Sequence, residues 1–234
     1  MKALVLLLIK IFSFAKFGKV LFTLGTTVLS IGSYTMIYGW RYAVGFVGLI
    51  LVHEMGHYFA ARRKKLNTGL PIFIPFVGAY IQLKDDPVNA EDEAYIAFAG
   101  PLVGSLAAFA LYYWGHFIDS RLCLALAEAG FLINLFNLIP LHPLDGGRIT
   151  AIISPRLWFL GVPLLIVVWI YHPSPLLILL AILAVPQLIK AWKFNSKAPE
   201  NEDYYDISII VRFEYAIVYL LLTVILGLMV GWDH

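Results

Sequence analysis

Residues Tyr42 to Ala61 read YAVGFVGLILVHEMGHYFAA, and Arg62-Arg63-Lys64-Lys65 follow at once. A predominantly apolar run of this length, closed by four cations, is what a helix needs to cross a bilayer and stop at its surface. The rest of the chain has the same character. Of its 234 residues, 61% are hydrophobic and 14% charged, with a mean hydropathy of +0.82. Soluble domains are about 45–50% apolar and about 25% charged, so this chain lacks the polar surface to coat a globule. A water-soluble enzyme, a nucleic-acid binder and a disordered regulator are excluded. The net charge of +2 leaves no electrostatic footprint for an acidic partner. A single cysteine, Cys123, excludes a disulfide framework and a cysteine-rich zinc ribbon.

Further spans lie between the charges: Val20–Gly39, Ala94–Phe117, Leu122–Ile139 and Val211–Trp232. The 33 residues Leu157–Ile189 are interrupted by His172-Pro173-Ser174-Pro175 and read as two short, tilted spans, with one span plus a re-entrant piece as the alternative. The expected fold is an all-α polytopic membrane protein of about six to seven transmembrane helices. With a cytoplasmic N-terminus, 15 of the 17 basic residues fall inside, and only Arg41 and Arg121 fall outside. The expected location is therefore the cell membrane, multi-pass, with the N-terminus cytoplasmic. Residues 1–17 read as an amphipathic segment at that interface rather than a signal peptide, because Lys10 and Lys16 interrupt the apolar run and no cleavage site follows. The chain reads as one integral-membrane domain: a core over 39–150, C-terminal helices over 157–234, and no soluble accessory domain.

His53 and His57 are four apart, so on a helix they share a face about 6 Å apart along the axis. Two imidazoles so placed can grip one zinc ion, and Glu54 beside them can take a proton from water on that ion. Ionisable residues inside hydrocarbon are costly and normally functional. A catalytic zinc needs a third protein ligand at the same depth. By helical rise, His53 lies about 13 Å and His57 about 7 Å inside the boundary set by Arg62. Asp145 follows an inward-running span on that side. Pro140 and Pro143 break the helix before it, and Gly146-Gly147 are expected to let the chain turn tightly around the carboxylate. His142, between two prolines, is the weaker candidate for the third ligand. Glu128 is given no role.

His53-Glu54-Met55-Gly56-His57 on one span, with Asn137 through Leu144-Asp145-Gly146-Gly147-Arg148 ending a later one, resembles the site-2 proteases, the intramembrane zinc metalloproteases. The resemblance covers about Gly39 to Thr150. It implies one zinc held by His53, His57 and Asp145, with Glu54 as general base and acid. It also implies that Asn137 orients substrate or stabilises the oxyanion. Ala99-Gly100-Pro101-Leu102 is similar to the family's Gly-Pro signature, but Val103-Gly104 replaces the asparagine that often follows. A close backbone approach through Gly100-x-x-x-Gly104 is the simpler reading there.

Between Arg62–Lys65 and Asp85-Asp86, residues 69–84 are too short and too proline-broken to span. Their β-branched and aromatic residues around Gly78 predict a re-entrant hairpin, and the family resemblance points the same way. A bare edge there could add an unwound substrate segment as a further strand. The expected function is intramembrane zinc endopeptidase activity on transmembrane or near-membrane segments of membrane-protein or membrane-peptide substrates. The bilayer is the medium, and no nucleic acid is involved. An ion transporter using the intramembrane His and Glu, and an inactive relative that binds membrane helices, are the competing readings. A zinc protease with a later glutamate as third ligand is disfavoured, because Glu200, Glu202 and Glu214 lie in or beside a polar loop. Nothing in the sequence names the substrate.

Overall fold

The computed structural model describes residues 2–196 and 198–231. Met1 of the expected N-terminal segment, Lys197 of the inward loop, Trp232 at the end of the last expected span and residues 233–234 lie outside the described residues. The chain is helical almost throughout: α1 (Lys2–Tyr38), α2 (Trp40–Arg63), α3 (Ala90–Phe117), α4 (Arg121–Asn137), α5 (Asp145–Ala151), α6 (Gly161–Tyr171), α7 (Pro175–Trp192), α8 (Pro199–Tyr205) and α9 (Ile209–Gly231). Two three-residue strands, β1 (Ile72–Ile74) and β2 (Gly78–Tyr80), form the small sheet between α2 and α3. Five described helices are long and apolar enough to cross a bilayer: α1 from Gly18, α2, α3, α7 and α9. The remaining expected spans are shorter, with α4 at 17 residues and the apolar piece Pro155–Tyr171 made of a 3-10 turn running into α6. The 2–17 segment is helical and continuous with the first span.

Helix boundaries follow local chemistry. α3 begins at Ala90 rather than Ala94 because Asn89 caps it, accepting a hydrogen bond from the Asp92 N–H at 2.8 Å. Glu91, Asp92 and Glu93 fill its first turn, where the helix dipole favours anions. α4 ends at Asn137, short of the expected Ile139, as the chain turns toward Pro140. The α6–α7 break falls at 172–174, and Ser174 Oγ accepts from the Leu176 N–H at 3.2 Å to start α7. Two helices joined by a tight turn fit both alternatives for this stretch, and of the two only α7 is long enough to count as a span.

α3 is the central element, packed between α2 and α4 and also against α5. Its buried face is a line of small residues, Ala90, Ala94, Ala97, Gly100, Gly104 and Ala108, which lets neighbouring backbones approach closely. Phe131 and Leu138 on the α4 side, Ile149 of α5, and Tyr219, Leu222 and Leu226 of α9 complete the core beside it. The outer surface is apolar. Met36, Ile210, Leu220 and Ile182 are all well exposed, as lipid-facing helices require.

The sheet is an antiparallel hairpin in register Ile72↔Tyr80, Phe73↔Ala79 and Ile74↔Gly78. Pro71 and Pro75 flank β1 instead of interrupting it. Gly78, at φ 130, takes a backbone conformation that L side chains rarely adopt. β1 lies against α1, where the Phe73 N–H donates to Thr26 Oγ1 at 3.4 Å. β2 lies toward α2, and no other strand pairs with it among the described residues.

Candidate metal centre

His53 and His57 sit one turn apart on the buried face of α2, with 4% and 8% of their surfaces exposed. Asp145 is the first residue of α5 and 8% exposed. Its Oδ2 lies 3.1 Å from His53 Nε2 and 3.2 Å from His57 Nε2, and the two Nε2 atoms are 3.1 Å apart. The second nitrogen of each ring has its own partner. His57 Nδ1 lies 2.8 Å from the Ile96 carbonyl, which can only accept, so this nitrogen carries the proton. His53 Nδ1 lies 2.8 Å from Asn134 Oδ1, and Asn134 Nδ2 donates to the Gly130 carbonyl at 2.7 Å, which fixes the amide's orientation. Both rings are thereby held as Nδ1–H tautomers with Nε2 lone pairs turned to Asp145.

Two imidazole lone pairs and a carboxylate oxygen thus converge with no proton left to share between them. A cation resolves that repulsion. Ligands about 2.0–2.2 Å from a tetrahedral zinc stand about 3.3–3.6 Å from one another, close to the separations here, so the donor set fits the ion. Among the described residues these three are the group of His, Cys, Asp and Glu side chains arranged to hold a metal. His142 does not join them. Its ring lies tilted 5.5 Å from Trp158, its Nδ1 is buried without a hydrogen bond among the described residues, and burial pushes its pKa down.

Glu54 is 7% exposed, makes no hydrogen bond or ion pair among the described residues, and lines a polar pocket of about 180 Å³ with His53, His57 and Asp145. Asn137, Arg148 and the β2 residues Ala79 and Tyr80 line the same pocket. Asn137 Nδ2 donates to the Ile133 carbonyl at 3.0 Å. A larger apolar groove of about 510 Å³ reaches His53, Glu54 and Asn137 from between α1, the hairpin, α4 and α7.

The glycine pair after Asp145 acts differently from the sequence expectation. Gly146 and Gly147 are helical and neither has a positive φ. A methyl on Gly146 would collide with the Leu138 carbonyl, and one on Gly147 with the His142 backbone. They let α5 pack against the preceding loop rather than supplying a flexible turn.

Residues 41–120, which carry α2 with its histidine pair and all of α3, match the description Peptidase family M50. A zinc metalloprotease of Methanocaldococcus jannaschii is 30% identical over 147 residues, covering 60% of this chain and 42% of the relative. A chloroplastic protein of Arabidopsis thaliana, described as a probable zinc metalloprotease, is 32% identical over 84 residues, covering 34% of this chain and 15% of its own length. Over the segment that carries the histidine pair, the chain is similar to these zinc metalloproteases. The solved site-2 protease from Methanocaldococcus jannaschii superposes with a TM-score of 0.46 at 19% identity, over 78% of this chain and 87% of that one. The chain spans less than half the length of the curated relatives named above. Asp145 lies beyond the segment matched to the family, so its place beside the histidines rests on the geometry described here.

Sequence reasoning did not assign three supports of this centre: Asn134, the Ile96 carbonyl and the Trp158 indole, which donates to the Gly147 carbonyl at 2.7 Å. Asn134 carried a signal, since a buried amide in an apolar span needs a partner. The other two carried none.

Proposed function

We propose that this chain is an intramembrane zinc endopeptidase that cuts a transmembrane or near-membrane segment of another protein, with its N-terminus in the cytoplasm and its site nearer that face. The convergence of His53 Nε2, His57 Nε2 and Asp145 Oδ2, each ring held from behind, carries the reading. His53, His57 and Asp145 would hold zinc, which supplies Lewis-acid polarisation of the scissile carbonyl and acidifies the attacking water. Glu54 accepts a proton from that water and returns it to the departing amide nitrogen. Its lack of any competing partner leaves it available for both transfers. Asn137 lines the pocket where a substrate carbonyl or oxyanion would sit, and its amide can donate to that oxygen. The unpaired β2 edge can hold a substrate segment in extended form, exposing the carbonyls that a helix hides. The transporter reading has no comparable support, and the inactive-relative reading lacks a missing residue to explain.

The test is cleavage of a transmembrane reporter by detergent-solubilised protein, with zinc content measured in parallel. Glu54→Gln should keep zinc and fold while losing about 10²–10⁴-fold in cleavage. His53→Ala, His57→Ala and Asp145→Ala should each lower zinc content. Full cleavage by zinc-loaded Glu54→Gln would overturn the mechanism. Asp145→Ala with full zinc, alongside zinc loss in His142→Ala, would move the third ligand.

A further inference from the structure

A second cavity, of about 580 Å³, shares no lining residue with the metal pocket. It is a cleft between α2 and α9 with α3 as its floor, running from Glu91 to Val103, about 18 Å along α3. Its deep end is apolar, with Phe98, Leu102 and Val218, and its mouth carries Arg63, Glu91 and Glu214. This mouth lies at the same end as the Arg62–Lys65 cluster.

The charges at the mouth have no ion-pair partner among the described residues, unlike their neighbours on α3. Of the three acidic residues opening α3, Asp92 is bound by Lys64 Nζ at 2.6 Å, and Glu93 by Arg148 Nε at 3.2 Å and by the Tyr204 hydroxyl at 2.6 Å. Among the described residues, Glu91, Glu214 and Arg63 form no ion pair. Glu91 is half-buried, which raises the cost of an uncompensated carboxylate. The cleft therefore offers an apolar trough with two carboxylates and one guanidinium at its lip.

We infer that this cleft binds a phospholipid whose headgroup carries both a primary ammonium and a phosphate, as phosphatidylethanolamine does. The ammonium donates charge-assisted hydrogen bonds to Glu91 and Glu214, the phosphate takes the Arg63 guanidinium, and an acyl chain lies along Phe98, Leu102 and Val218. An anionic glycerol headgroup would bring its phosphate to two carboxylates with no cation of its own. A choline headgroup has the charges but no N–H to donate.

Purified full chain in detergent, titrated with dioleoyl phosphatidylethanolamine, phosphatidylcholine or phosphatidylglycerol, gives a direct readout as lipid retained per chain by native mass spectrometry. The ethanolamine lipid should be retained at least tenfold more strongly than either of the others. Glu91→Gln combined with Glu214→Gln should erase that preference, and Leu102→Trp, which fills the trough, should lower retention of every lipid. Unchanged zinc content and melting temperature show that the variants fold. Equal retention of the three lipids by the unaltered chain would overturn the proposal without requiring any variant to fold. A preference that survives both carboxamide substitutions, or a dimer whose contact shields Glu214, would overturn it as well.

Discussion

Gly100 and Gly104 matter for the volume they leave open. A methyl on Gly100 would run into the His57 imidazole, and one on Gly104 into the Asn134 side chain that holds His53. The small-residue face of α3 is thus the wall against which one ligand and the other ligand's support both lie. Gly100→Ala and Gly104→Ala should each weaken zinc about 10–100-fold, as loss of a ligand's support typically does, measured by competition with a chelator. Gly48→Ala, where an added methyl meets nothing within 4 Å, should leave zinc affinity unchanged. If all three behave alike, the close packing does not position the site. The sequence showed that something approaches α3 through Gly100-x-x-x-Gly104, because spacing defines a helical face. It could not show that an imidazole and an amide are what approach, because spacing carries no information about the neighbour. The same holds for His53, His57 and Asp145: the pair was legible from i, i+4 periodicity, whereas Asp145 required a fold that brings residue 145 back to residue 53.

The elements around the site are fastened by a polar clamp at the end of the bundle. Tyr204 of α8 donates to Glu93 of α3, whose other oxygen accepts from Arg148 of α5. Burial and the neighbouring Glu93 hold the Tyr204 phenol above its usual range, so it remains a protonated donor, and push Tyr205 up to about 12. Arg212 completes the clamp, donating to the carbonyls of Ile153 and Tyr205 at 2.8 Å and of Ile207 at 3.2 Å. Because Arg148 also lines the metal pocket, the 190–208 connection is tied to the helix that presents Asp145. Tyr204→Phe keeps the ring and removes the hydrogen bond to a charged acceptor, an expected loss of about 1.5–3 kcal/mol. Hydrogen–deuterium exchange should then rise across residues 199–208 and α5; unchanged protection would mean the clamp is held elsewhere. From the sequence, 190–206 was a polar loop and Glu93 lay outside a span. Bounding spans at charges trims from α3 the acidic turn that Asn89 caps, and with it the partner of Arg148.

At the scale of the molecule, the distribution of cations and the order of helices make one joint statement. If the successive spans alternate, α1, α3 and the Pro155–Tyr171 piece run one way and α2, α4 and α7 the other, and the chain does make tight turns at 118–120 and 172–174. Spans longer than a helical hairpin's worth of apolar sequence were legible because hydrocarbon permits little besides helix. The two short pieces were harder, since 17 residues rise only about 26 Å against a hydrocarbon core of about 30 Å. If the basic ends face the cytoplasm, residues 118–120 face outward and the 190–197 loop inward. Cys123, close to the outer turn, is the native cysteine and must first be replaced by serine. Ile118→Cys and Ser196→Cys, introduced singly into that background, sit at exposed positions on opposite ends of the bundle. A membrane-impermeant maleimide added to intact cells should label the first and spare the second, and inverted vesicles should give the reverse. Labelling of Ser196→Cys in intact cells would invert the chain. The histidine pair, about one and a half to two and a half turns from Arg62, would then open toward the outer face, and any substrate would have to be cut there.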